Sequence, residues 1–120
     1  DSGYTVMIET NGTVNLSPLP QGVIKIVDIK CPDSGSGGTF LYENLKCITA
    51  NDELKFVVAS KNDFDWAMDE INGRDLTSLC PVNISPAEQF VDAKDVALWI
   101  LESGIKVRLN LQIHKLLGMK

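Results

Sequence analysis

The chain is 120 residues long, 44% apolar and 22% charged, with a net charge of −5. That is one globular domain able to bury roughly 65–70% of its unfolded surface, neither a disordered segment nor a disulfide-stapled miniprotein. The acidic balance excludes a basic nucleic-acid groove and gives no attraction to an anionic membrane, and no apolar run is long enough to cross a bilayer.

Residues 4–8 (YTVMI) are apolar and β-rich and stop at the turn signal Thr10-Asn11-Gly12, so they read as a strand. Residues 16–22 carry Pro18, Pro20 and Gly22 and form a loop. Residues 23–29 (VIKIVDI) are nearly continuous in β-branched side chains, the composition of a strand covered on both faces. The Ser/Gly stretch 33–38 lacks both the dinucleotide-binding glycine spacing and the Lys-Ser/Thr of a phosphate loop, and is read as a rim loop. A short helix is expected over 40–47 and a buried strand over 54–59 (LKFVVA).

Ser60 and Asp63 then have capping-box spacing. Phe64, Ala67, Met68 and Ile71 recur at helical intervals up to Asn72-Gly73, with Asp63, Asp65, Asp69 and Glu70 assigned to a solvated helix face. A strand at 82–84 ends at Ser85-Pro86. Residues 88–103 form the strongest expected helix, with Val96, Ala97, Ile100 and Leu101 inward and Gly104 as its stop. Residues 107–113 (VRLNLQI) alternate as a closing strand.

Strands alternating with helices on such connections imply an α/β fold of parallel strands with right-handed crossovers. Five strands and three helices read as part of a (β/α) barrel. Glu9 and Thr10, Asp28 and Lys30, Ser60, Ser85 and His114 fall at successive strand ends. In parallel architectures those ends surround the active site, so Glu9 and Thr10 are candidate rim residues. His114 is the only histidine, which leaves no supported Ser-His-Asp or Cys-His pair. Cys31, Cys47 and Cys80 match neither a disulfide framework nor a metal-binding spacing, and are read as buried reduced thiols of a cytoplasmic protein. The chain begins at Asp1, not Met, and enters an apolar run at once, from which a fragment is expected.

Several motifs occur together in one order: Ile8-Glu9-Thr10-Asn11-Gly12-Thr13, Val27-Asp28-Ile29-Lys30-Cys31-Pro32, Asn44-Leu45, Lys55-Phe56-Val57-Val58, Ser85-Pro86 and Leu111-Gln112-Ile113-His114-Lys115. With them the chain resembles the C-terminal half of the 7-carboxy-7-deazaguanine synthases, radical S-adenosylmethionine enzymes, along nearly its whole length. The resemblance implies a partial, open barrel over residues 1–120, a homodimer, and the use of S-adenosylmethionine, a [4Fe–4S] cluster and Mg²⁺. It implies the radical ring contraction of 6-carboxytetrahydropterin to 7-carboxy-7-deazaguanine, on the route to queuosine and related 7-deazapurines. The CxxxCxxC cluster loop of such enzymes lies in their N-terminal half, so the chain alone is expected to be inactive and to need that half as partner. Carried over by position, the S-adenosylmethionine contacts fall on Asp28, Ile29 and Lys30 and on Ser85, Pro86 and Ala87, with only the lysine of the first group matching the family. His114 and the terminal Lys120 are implied to face the pterin. Two other readings stay open: an activating enzyme that abstracts hydrogen from a glycyl-radical partner, and a non-catalytic β/α binding module.

Overall fold

A computed structural model describes residues 6–10, 15–19, 22–34 and 42–111. It contains one five-stranded sheet, all parallel: β1 (Met7–Thr10), β2 (Ile24–Lys30), β3 (Glu53–Val58), β4 (Val82–Pro86) and β5 (Arg108–Leu109). The strands lie side by side in chain order. With right-handed crossovers, an order that advances one neighbour at a time puts every connection on the same face of the sheet. Helix α1 (Lys61–Gly73) joins β3 to β4, and α2 (Ala93–Ser103) joins β4 to β5. Short 3-10 segments occupy Pro32–Ser34, Tyr42–Cys47 and Leu76–Ser78. Among the described residues no helix is long and apolar enough to cross a membrane.

The alternation of side chains divides the sheet into two faces. Val27, Leu54 and Val82 make one lateral row, and Ile29, Phe56 and Ile84 the next; all are buried. They form the core with Phe64, Ala67, Met68 and Ile71 of α1 and Val96 of α2. The ring of Phe56 meets Trp66 edge-on at 6.3 Å, and Phe64 meets Trp99 at 5.6 Å, which locks both helices onto that face.

Helix α1 begins where the capping spacing predicts. The Ser60 Oγ accepts from the Asp63 N–H at 3.0 Å, and the four apolar positions read from its periodicity are all buried. Helix α2 starts five residues later than its pattern suggests, because Asp92 caps it by accepting from the Lys94 N–H. The preceding turn is held by Phe90 N–H and Val91 N–H donating to the Ala87 carbonyl. Gly104 ends α2 at φ +71°, the left-handed value that favours glycine. Leu101, expected inward, is 76% exposed. Counting from a start at Ala93, only Val96 is buried, and the short β5 is too narrow to cover the last turn.

Other boundaries shift slightly. β1 runs through Thr10, into the expected turn; β4 continues through Ser85 and Pro86; and of the short helix expected over 40–47, Tyr42–Cys47 form a 3-10 segment, with 40–41 outside the described residues. β5 is two residues long, and the rest of the closing strand read over 107–113 has no ladder partner through Leu111, with 112–113 outside the described residues.

At the N-terminal end of the sheet Asp52 is 1% exposed. Its Oδ1 accepts from the Lys25 N–H at 2.7 Å, and its Oδ2 accepts from the Thr49 N–H at 2.7 Å and faces the Lys25 Nζ at 3.3 Å. Burial alone would raise this carboxyl's pKa, but the two backbone donors and the ammonium of Lys25 outweigh it and hold the value below the ordinary one. A depressed folded-state pKa gives stabilisation that is complete above the unfolded value of about 3.9 and is lost as pH falls through the folded one. Asp52→Ala, which strands a buried lysine, should cost about 3 kcal/mol in urea unfolding near neutral pH. The gap between wild type and Asp52→Asn should narrow as titration proceeds from about pH 6 to pH 3. A gap that stays constant over that range would show that the ionised carboxylate contributes nothing.

Candidate functional site

The face of the sheet turned away from the helices carries a different chemistry. Pairing register places Lys30, Val57 and Ser85 in one lateral row near the C-terminal ends of the strands. One step below run Asp28, Lys55, Asn83 and Arg108, and below that Glu9, Ile26 and Glu53. Adjacent strands lie about 4.8 Å apart, so Lys30 and Ser85 are roughly 10 Å apart across the rim. That is the span of a nucleoside-sized ligand.

The lower rows are tied to one another. Lys55 Nζ lies 3.3 Å from Asp28 Oδ1, an ion pair without hydrogen-bond alignment. The Asn83 amide donates to Glu53 Oε1 at 2.8 Å, and Arg108 Nε donates to Asn83 Oδ1 at 3.1 Å. Arg108 also lies 3.8 Å from Glu53, but both are substantially exposed, and such a pair contributes little. Asp28 and Lys55, and Glu53, Asn83 and Arg108, are thus tied to one another below the rim, while Lys30 stands half-buried at its top.

The positions read from the sequence separate cleanly by face. Asp28, Lys30 and Ser85 share the face turned away from the helices, where Asp28 and Lys30 are half-buried and Ser85 is buried, at 2% exposure. Ile29 is buried in the core, and Pro86 pairs with Val58 on the helix side, so either could meet a ligand only through its backbone. Ala87 follows β4, and its N–H is engaged by the Val58 carbonyl at 2.8 Å. Glu9 shares the uncovered face with Ile26, whereas Thr10 pairs with Val27 on the helix side. His114 and Lys120 lie outside the described residues. Ser60, read as a strand-end polar group, is spent locally: it caps α1 and its hydroxyl donates to Asp33 Oδ2 at 2.7 Å.

Two groups at this end were not read as functional. Glu88, just past β4, has a buried Oε1 with no hydrogen-bond partner, and it lines a hollow with Phe90, Val91, Asp92 and Ala93 in the turn before α2. Such an atom suits a ligand hydroxyl or amine. Nothing in a lone Glu after Ser85-Pro86-Ala87 marks its enclosure in the sequence. Asp63, assigned to a solvated face, is instead fully buried. Its Oδ1 accepts from the Asp33 N–H at 2.6 Å and its Oδ2 from the Ala59 N–H at 2.8 Å. The capping spacing contained the signal, since a carboxylate at the third helical position turns back toward the helix start.

The cysteines do not fit an iron–sulfur cluster. Cys31 follows β2, Cys80 precedes β4 and Cys47 ends a 3-10 segment, and among the described residues no group of three or more His, Cys, Asp or Glu could hold a metal. Burial, with Asp63 nearby, pushes the Cys31 thiol strongly up; burial, with Asp52 nearby, pushes Cys80 up to about 11. Protonated thiols are poor ligands.

Along 95% of its length the chain is 42% identical to a 7-carboxy-7-deazaguanine synthase of Koribacter versatilis, covering 56% of that protein. It is 34% identical to the synthase of that name from Methanospirillum hungatei and 31% identical to that of Chlorobaculum tepidum, covering 48% and 54% of them. The chain thus spans about half the length of the curated relatives it matches, in their C-terminal part. No family model and no solved structure matches it.

The thiol environments set an order of reactivity. In the native protein at about pH 8, Cys47, which is half-buried, should be alkylated by iodoacetamide well before Cys31 and Cys80. Peptide mass spectrometry over time reads this directly, and early labelling of Cys31 would contradict the buried, protonated assignment.

Proposed function

Because this chain is a homologue of the C-terminal part of the 7-carboxy-7-deazaguanine synthases, we propose that it forms the corresponding wall of such an enzyme. The whole protein is then a radical S-adenosylmethionine lyase that contracts 6-carboxytetrahydropterin to 7-carboxy-7-deazaguanine for 7-deazapurine synthesis. The observation that carries the reading is the relation along nearly the whole chain, joined to a polar row at the ends of parallel strands. A sheet ordered strictly by sequence, with its helices on one side, supports a partial barrel whose uncovered face is the inner wall. S-adenosylmethionine would meet that wall at Lys30 and Ser85.

In this reading each residue binds or orients; none reacts. The Lys30 ammonium donates to the cofactor's carboxylate or ribose oxygens, a charge-assisted bond. The Ser85 hydroxyl donates or accepts beside it. The Asp28–Lys55 pair keeps the floor neutral, so that Lys30 is the cation presented at the rim. When bound, S-adenosylmethionine would supply the group that abstracts hydrogen. The cluster and Mg²⁺ find no fitting residues among those described, and in this reading the other half of the enzyme holds them. His114 and Lys120 remain candidates for the pterin, and the homodimer remains the expected assembly.

Two measurements test the reading. In the full-length protein, Lys30→Ala should weaken S-adenosylmethionine binding roughly ten- to a hundredfold by calorimetry while leaving the unfolding midpoint nearly unchanged. Unchanged affinity would make Lys30 structural. Residues 1–120 alone, treated anaerobically with iron and sulfide, should remain colourless and leave S-adenosylmethionine intact, and a stoichiometric cluster spectrum would refute the division of labour.

A further inference from the structure

Two buried carboxylates bracket β3, and each reaches across to β2. Asp52, before β3, accepts from the backbone at Lys25, near the start of β2. Asp63, after β3, accepts from the backbone of Asp33, three residues beyond Lys30. The second contact is doubled from outside: the Asp33 carboxylate accepts from Ser60 Oγ at 2.7 Å and from Asn62 Nδ2 at 3.4 Å. Between Lys30 and Asp33 lie Cys31, fully buried, and Pro32, whose ring fixes its own φ. The chain leaving Lys30 therefore has no freedom to swing: it is anchored in the core at Cys31 and clamped to the start of α1 at Asp33.

We propose that Asp63 is a positioning residue for ligand binding, acting through Lys30. This rests on the reading of Lys30 as a cofactor contact. The four rotatable side-chain bonds of a lysine can follow a shift of its backbone relative to Ser85 only by leaving the rotamer that aligns the ammonium with its ligand, and that loss of alignment lowers affinity. Asp63 fixes that backbone at the rim, as Asp52 fixes it at the opposite end. Asp52 is as buried and likewise accepts from two backbone N–H groups, with the Lys25 ammonium and the Thr49 hydroxyl besides, but its clamp lies a full strand length from Lys30. The two residues thus separate a general loss of stability from a loss of position.

The test is a double-mutant cycle on S-adenosylmethionine affinity in the full-length protein, measured calorimetrically on the folded fraction. Asp63→Asn retains one acceptor but turns an N–H toward a backbone donor. It should weaken binding about tenfold with Lys30 present and less than about twofold in a Lys30→Ala background. Asp52→Asn should lower the unfolding midpoint as much, with the dissociation constant unchanged. Where Asp63→Asn does not fold, Asp33→Ala removes only the outer pair of bonds from an exposed side chain, and should show the same dependence on Lys30 at a few-fold effect. Equal losses in both backgrounds, or a loss for Asp52→Asn matching that for Asp63→Asn, overturn the inference while leaving the cofactor reading standing. A wild-type protein that binds no S-adenosylmethionine overturns both.

Discussion

Parallel strands have no hairpin to fix their relative register, so something else must hold each strand against its neighbour. In this protein the loops on either side of β3 do so with carboxylates. Asp52 and Asp63 each satisfy two backbone N–H groups, one local and one on the β2 side. A single slip of β2 against β3 would break both contacts and strand two buried charges. It would also turn Val27 and Ile29 out of the core and bring Asp28 and Lys30 into it. The clamps and the apolar alternation therefore enforce the same register.

From that register the rest of the site follows. Packed on one face, α1 and α2 help to cover Val27, Leu54, Phe56 and Ile84, and the other face is left to polar chemistry. The uncovered face is sorted by height. Its middle rows are internally paired through Asp28–Lys55 and Glu53–Asn83–Arg108. Its top row holds Lys30 and Ser85. The charges of the middle rows are thus paired within the wall and the Lys30 ammonium stands at the strand ends, which in the proposed reading favours a negatively charged or hydroxyl-bearing ligand there.

The same geometry explains why three consecutive candidates cannot all be side-chain contacts. In a strand, neighbours point to opposite faces. Asp28 and Lys30 reach the site side while Ile29 builds the core, and Ser85 does so while Pro86 packs against the helix face. A motif transferred as a block thus resolves into two kinds of residue, one on the face proposed to meet ligand and one packed into the core.

Much of the fold was legible in the amino-acid sequence, because periodicity is a local property. The β-branched runs marked β2 and β3, and Phe64, Ala67, Met68 and Ile71 marked the buried stripe of α1. The spacing of Ser60 and Asp63 gave the cap, and the order of strands and helices gave parallel pairing. Tertiary structure alone decided what those residues face. Asp63 reads as one more acid on a charged helix, yet it is sealed against the chain beyond β2, thirty positions away. Leu101 reads as core, yet the end of β5 leaves it uncovered. Glu88 reads as a helix residue, yet it lies in the turn before α2 with one carboxylate oxygen buried. A pattern of spacing fixes which side chains share a face of one element; which element that face meets depends on contacts far apart in the chain, and only the packed sheet supplies them.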